Sequence, residues 1–298
     1  MEKEEKTRGG AALTMLGGML WGFSGACGQF LLQQKGLDAN WLVPVRMLSG
    51  GAVLLLLCLL REGRGAARIW KKDAAGILVF GLLGMTMCQY TYYRCIAVSN
   101  AGTSTVLQYL GPAMIVLYLA LRAGRLPRPL EWASVGLAMA GTFLLATHGN
   151  PGTMVLSGAA LFWGLGSAVA QAVYTIQPGR LLREYGAAQV TAWGMLVGGV
   201  ILTIVLQPYC IPVSLDGGAL MGLTAVVLFG TVGAFTIFLE GVRRIGPKKG
   251  SLYALTEPVS AALFSALWLG ERFVPMDLLG FACILSTIVL LALDKEKA

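Results

Sequence analysis

Two stretches of this 298-residue chain repeat one phrase, WGFSGACGQ at 21–29 and WGLGSAVAQ at 163–171. Residues four and eight apart share one face of a helix, so Trp21, Gly25 and Gln29 form a stripe, and Trp163, Ser167 and Gln171 form its copy. Indole and amide groups so placed offer an aromatic face and hydrogen bonds to a small molecule. They do not break bonds. The nearest approach to a nucleophile is Gly22-Phe23-Ser24-Gly25, which fits the GxSG pattern of an intramembrane serine protease. Such a serine needs a histidine general base, and the only histidine is His148, in a loop ahead of Pro151. The match is a chance run of small residues. With no HExxH, Walker loop or Cys/His cluster, neither metal hydrolysis nor ATP drive is available within the chain. No cofactor and no metal are expected.

Two further stretches carry polar groups in apolar surroundings. QYTYYRCIA at 89–97 sets Tyr90, Tyr93 and Arg94 on one face. Tyr92 reads as an interfacial anchor, and Tyr90 and Arg94 either anchor at the boundary or face the interior. Further on, Tyr253, Thr256, Glu257 and Ser260 form a stripe with i, i+3, i+4, i+7 spacing. A carboxylate at this depth is a functional candidate and can carry a coupling proton. The competing reading, which the nearby charges favour, is structural pairing of Glu257 with Arg243, Arg244, Lys248 or Lys249; Glu240 is assigned to the same work. The candidate substrate-binding residues are therefore Trp21, Gln29, Trp163, Ser167, Gln171, Tyr90, Arg94, Tyr253 and Thr256, with Glu257 as coupling candidate.

The elements that hold these residues must be membrane helices. Charged residues make up 13% of the chain and hydrophobic ones 56%, and the mean hydropathy is +0.70; a soluble domain carries about 25% charged residues. A span needs roughly 20 apolar residues, and ten candidates fit, near 12–32, 40–60, 74–97, 102–121, 130–147, 154–175, 188–206, 218–240, 250–269 and 275–293. The apolar run after MEKEEKTRGG is too long for a signal-peptide core and reads as a retained first span. Six cysteines show no CxxC or zinc spacing, and all but Cys210 fall in apolar runs, as small packing residues.

The net charge of +8 would suggest a nucleic-acid partner in a soluble protein; here topology accounts for it. Of the 23 Lys and Arg, nineteen fall in the segments on one side of this arrangement: Lys3, Lys6, Arg8; Arg61, Arg64, Arg68, Lys71, Lys72; Arg122, Arg125, Arg128; Arg180, Arg183; Arg243, Arg244, Lys248, Lys249; Lys295 and Lys297. Only Lys35 and Arg272 fall on the other side, and Arg46 and Arg94 lie within spans. The positive-inside rule then places both termini in the cytoplasm.

The second half repeats the first beyond the opening phrase. FGLLG at 80–84 is matched by FGTVG at 229–233, and Pro112 and Gly124 are matched at one offset by Pro258 and Gly270. Five spans per half is an odd number, so the halves must be inverted, as in many secondary transporters. The boundaries are a tail over 1–11, repeats over 12–147 and 153–293, and a tail over 294–298.

Phe229-Gly230-Thr231, Val242-Arg243-Arg244-Ile245-Gly246, Glu257-Pro258 and Leu269-Gly270-Glu271-Arg272, with Arg46 in the second span, resemble the EamA-type branch of the drug/metabolite transporter superfamily. Departures are Gly111-Pro112 facing Glu257-Pro258 across the repeat, Arg125 facing Glu271, and Ser286-Thr287 near the family's late glycine. The resemblance implies a ten-helix inverted-repeat fold and transport of small metabolites or drugs, often outward, through a central cavity. The expectation is an all-α membrane protein with ten transmembrane helices in two inverted five-helix repeats, placed in a bacterial cytoplasmic membrane. Its expected activity is secondary export of a small amphipathic metabolite, amino-acid-like or drug-like, by alternating access. Its partners are that substrate, the lipid bilayer and a candidate coupling proton. A lipid or lipid-precursor flippase is the alternative within transport; an intramembrane enzyme is the alternative outside it.

Overall fold

The structure, a computed structural model, describes residues 2–150, 152, 154–245, 250 and 253–293. All regular structure among them is helical. Eight helices are long and apolar enough to cross a membrane: Arg8–Gln34, Ala39–Arg61, Ala74–Val98, Ala101–Arg122, Pro129–Thr147, Gly158–Ile176, Ala187–Leu206 and Gly217–Ile245. Thr256–Leu269 and Pro275–Leu293 complete the ten. These are the first to tenth spans below.

The packing obeys the repeat. If each span of the first half is exchanged for the one five places on, the main contacts map onto each other. The first span packs on the eighth and ninth, and the sixth packs on the third and fourth; the second packs on the seventh, the fourth on the ninth and the fifth on the tenth. Such a pattern is what a pseudo-two-fold axis produces, with the last three pairs straddling it.

Local conformation obeys it too. In the fourth span the helix Ala101–Gln108 stops at Tyr109 and Leu110 and resumes at Gly111–Arg122 with Pro112 in its first turn. In the ninth, a turn at Ala254 and Leu255 precedes Thr256–Leu269, with Pro258 in the first turn. A proline is tolerated there because the N–H groups of a first turn have no intrahelical acceptor to lose. The break also explains why the ninth helix has 14 residues, where an unbroken span over 250–269 was expected. Gly124 and Gly270, which end these two spans, have φ of 64° and 76°, a left-handed conformation that favours glycine. The two FG segments both wind into π-helix, Phe80–Thr86 and Leu228–Gly233; such turns are uncommon and recur at functional sites.

Side-chain caps mark one face of the molecule. Asp38, Asn100, Ser157 and Asp216 open the second, fourth, sixth and eighth spans, each accepting from a backbone N–H of its helix's first turn. The opposite face carries the described part of the basic segments and is called the basic face; the other is the capped face. Between them, glycines bring the first span close to the ninth. A β-carbon on Gly22 would lie 2.5 Å from the Glu257 carbonyl oxygen and 2.7 Å from the Ala261 nitrogen. The seventh span is as close to its neighbours, since a β-carbon on Gly194 or Gly198 would lie 2.6 Å from Phe80 or Met47.

Candidate functional site

A cavity of about 520 Å³ lies between the two halves. Trp21, Ser24 and Gly25 of the first span form one wall, Cys88, Gln89, Tyr92 and Tyr93 of the third another. Tyr109 and Pro112 come from the broken fourth span, Gln171 and Tyr174 from the sixth, Phe235 and Phe238 from the eighth, and Glu257 from the start of the ninth. The lining extends to Leu182, Ala187, Val242 and Gly250, at the basic-face ends of their elements.

Trp21 packs against Phe235 and Phe238, ring centroids 5.0 and 4.7 Å apart, so one side of the cavity is an aromatic shelf. Gln171 accepts from Cys88 Sγ at 3.0 Å, and Gln108 Nε2 donates to Ser167 Oγ at 2.8 Å behind the wall. Ser167 is fully buried and does not line the cavity. Tyr92 lines it and bonds Thr105 at 2.8 Å, which corrects its expected place as an interfacial anchor. Glu257 Oε2 accepts from the Tyr109 hydroxyl at 3.0 Å; the same hydroxyl lies 2.9 Å from the Ala254 carbonyl.

Among the described residues Glu257 makes no ion pair. Arg243 and Arg244 both bond Glu240, at 2.8 Å, as expected of Glu240. Their guanidinium groups are thus held on their own helix; Lys248 and Lys249 lie outside the described residues. Arg46 from the second span also enters the wall. Its Nη1 donates to Gln89 Oε1, its guanidinium carbon sits 5.0 Å from the Tyr93 ring centre, and its buried Nε has no partner.

The two glutamines and two tryptophans of the repeat do not meet. Gln29 is buried towards the capped face and ties four elements together. Its Oε1 accepts from Ala101 N at 2.9 Å and Ser265 Oγ at 3.0 Å, and its Nε2 donates to Glu271 at 2.8 Å and Gln33 at 3.0 Å. Gln33 in turn donates to the Ile96 and Ser99 carbonyls. The Lys35–Asp216 ion pair at 2.7 Å and the hydrogen bond between His148 Nε2 and Asp277 Oδ1 at 2.8 Å add contacts on that face. Trp163 is also outside the cavity. Its ring meets Tyr90 at 5.8 Å and lies 5.3 Å from the Arg94 guanidinium carbon, while the Tyr90 hydroxyl donates to Asn40 Oδ1 at 2.7 Å. Thr256 Oγ1 bonds the Met15 carbonyl at 3.0 Å, a seam between first and ninth spans, and Tyr253 leads into the turn before it without lining the cavity.

Comparison with known proteins fits this architecture. The EamA-like transporter family matches residues 8–147 and 158–293, one match to each half. The chain belongs to the EamA-like transporter family. It is 37% identical, over 98% of its length and 97% of the relative's, to a Salmonella typhimurium protein named the uncharacterized inner membrane transporter YicL. It is 25% identical to the threonine/homoserine exporter RhtA of Escherichia coli, over 78% of this chain and 75% of RhtA. A solved crystal structure 19% identical in sequence superposes with a TM-score of 0.61 over 92% of this chain and 96% of its own; at that identity it supports the fold alone. This EamA-family protein is thus an integral inner-membrane transporter and not an enzyme.

Proposed function

We propose that this EamA-family protein is a secondary carrier that exports a small amphipathic metabolite by alternating access. The observation that carries the reading is the unequal state of two equal phrases. At one copy, Trp21 faces a cavity that extends to the basic face. At the other, Trp163 packs against Tyr90, Phe162 and Arg94 outside the cavity, while Gln29 and Glu271 knit the capped face shut. An inverted repeat that is open on one side and closed on the other has a second state in which the roles are exchanged. In that state the site draws on Trp163, Tyr90 and Arg94, and Gln29 is released. The positive-inside rule puts the basic face in the cytoplasm, where such a carrier loads for export. The name of RhtA, an exporter, agrees with that direction.

Glu257 is the coupling candidate, because it is the carboxylate of the cavity wall and bonds there to a neutral hydroxyl. A proton taken up and released by it in each cycle would be the coupling step. Purified protein reconstituted in sealed proteoliposomes and assayed for counterflow of labelled amino acids and amphipathic amines tests the carrier reading. Glu257→Gln is expected to stop uphill movement driven by a pH gradient while downhill exchange continues at a reduced rate. If both survive, the carboxylate is structural. A second reading, lipid-precursor flipping, draws on a separate apolar groove of about 400 Å³ on the fourth, fifth and sixth spans, lined by Leu110, Met114, Met139 and Phe143. It shares no lining residue with the cavity. Scrambling of a labelled lipid in the same vesicles would favour it.

A further inference from the structure

We propose that Arg46 and Glu257 are the two ends of a receptor for a zwitterion, Arg46 seating the substrate's carboxylate and Glu257 its ammonium group. The inference deepens the carrier reading above and rests on it.

Arg46 is 7% exposed. A buried cation is ordinarily paired with an anion or saturated with acceptors, and a guanidinium has five N–H donors. Here one donor reaches Gln89, one face lies on Tyr93, and Nε is buried with nothing to bond. Both neighbours are neutral, and among the described residues no carboxylate lies at salt-bridge distance. The remaining edge belongs to a side chain in the cavity wall. Its planar fork suits a carboxylate, which accepts two parallel N–H bonds.

Glu257 is the complementary case. The described arginines of its neighbourhood, Arg243 and Arg244, are taken by Glu240. Among the described residues its side-chain partner is the Tyr109 hydroxyl, leaving acceptor capacity for an N–H donor in the cavity. If the two charges existed to neutralise each other, the fold would bring them together as an ion pair; they line one cavity without forming one.

The repeat sharpens the point. Duplication supplies two tryptophans, two glutamines and two prolines at matched places, but neither charge is duplicated. Gly111 stands opposite Glu257 across the repeat, and the seventh span, counterpart of the second, contains no charged residue. Among the described residues the cavity wall therefore holds one cation and one anion on different spans, beside the shelf of Trp21, Phe235 and Phe238. A ligand of either single charge would satisfy one and leave the other bare. A zwitterion with a modest apolar side group satisfies both.

The test is counterflow into proteoliposomes of the parent protein with a mixture of the twenty labelled L-amino acids, beside their methyl esters (cationic) and N-acetyl derivatives (anionic). At least one free amino acid is expected to exchange, with its ester and its N-acetyl derivative at least about tenfold poorer, the scale of a lost charge-assisted bond. Arg46→Gln should erase the preference for the free acid over the ester, and Glu257→Gln the preference for the free acid over the N-acetyl form. Because each readout is a ratio measured on one preparation, partial loss of folded protein does not imitate it, and Arg46→Lys, which keeps the charge, should retain part of the preference. Exchange of esters or N-acetyl forms in preference to free acids overturns the zwitterion receptor and leaves the carrier standing. Unchanged ratios in both variants do the same. If nothing in the panel exchanges through protein that melts cooperatively, the carrier reading falls with it.

Discussion

Trp21 and Trp163 are one residue written twice and placed in different surroundings. Trp21 meets the phenyl rings of Phe235 and Phe238 at the edge of a cavity, whereas Trp163 meets Tyr90 and the Arg94 guanidinium away from it. A tryptophan face contributes about 0.5–2 kcal/mol to an apolar or cationic ligand, or roughly 2- to 30-fold in affinity. Trp21→Ala is therefore expected to weaken binding of an exchanged amino acid by that factor, measured by titration in detergent. Trp163→Ala should leave that binding near the parent value and slow transport only when substrate is offered at the capped face. Equal effects on both would mean that the copies do not alternate. At this scale much was legible: the repeated phrase located both tryptophans, and the lone carboxylate of the ninth span proved to lie in the cavity wall. Trp163, a candidate for the same site, lines no part of the cavity, because a repeat gives equivalence of positions and not the conformational state that makes them unequal. Arg46 escaped notice as a site residue because one arginine in a span has no periodicity; Gln108 and Tyr109 escaped because their place depends on the break at Pro112.

At the scale of the element, close glycine seams and broken helices set the geometry. Gly22 leaves no room for a side chain against the backbone of the ninth span, so Gly22→Val must separate two helices or distort the turn that carries Glu257. Overpacking of this kind costs about 1–3 kcal/mol; a clearly lowered melting temperature in detergent is expected, and an unchanged one would contradict the packing. The capped-face lock makes a pH prediction. Burial raises the Glu271 carboxyl above its ordinary value, and its hydrogen bond from Gln29 works the other way. A group with a raised pKa in the closed state holds its proton better there than when hydrated. Closure of the capped face therefore gains as pH falls through the carboxylate range and loses that contribution as pH rises above the raised pKa. Alkylation of a cysteine placed at Tyr90 is expected to slow as the capped-face pH is lowered, and Glu271→Gln should flatten that response. Rates are corrected for the thiolate fraction of the introduced cysteine; an equal corrected slope in Glu271→Gln would contradict the prediction. The two prolines were legible in the sequence as matched positions of the repeat. The π-helical turns were not, since FGLLG and FGTVG announce small-residue packing but not an extra residue per turn.

At the scale of the molecule, the inverted repeat accounts for composition, contacts and backbone together. Nineteen of the 23 basic residues fall on one side of the sequence-derived arrangement, and the observed packing maps onto itself when spans five apart are exchanged. Orientation follows if the basic face is cytoplasmic. Cys210, exposed in the loop between Ala187–Leu206 and Gly217–Ile245, should then react with an impermeant maleimide from outside intact cells; reaction only after the inner membrane is opened would reverse the topology and with it the export direction. The most direct measurement of alternating access needs no known substrate. In a cysteine-free background, Gln171→Cys reports the cavity and Tyr90→Cys the opposite side, and Gln29→Ala removes the amide that ties Ala101, Ser265 and Glu271 together. The account predicts that releasing this lock lowers maleimide labelling of Gln171→Cys from the basic face while raising that of Tyr90→Cys from the capped face, in reciprocal proportion. Labelling of both sites rising together, or neither changing in protein that remains folded, would contradict it.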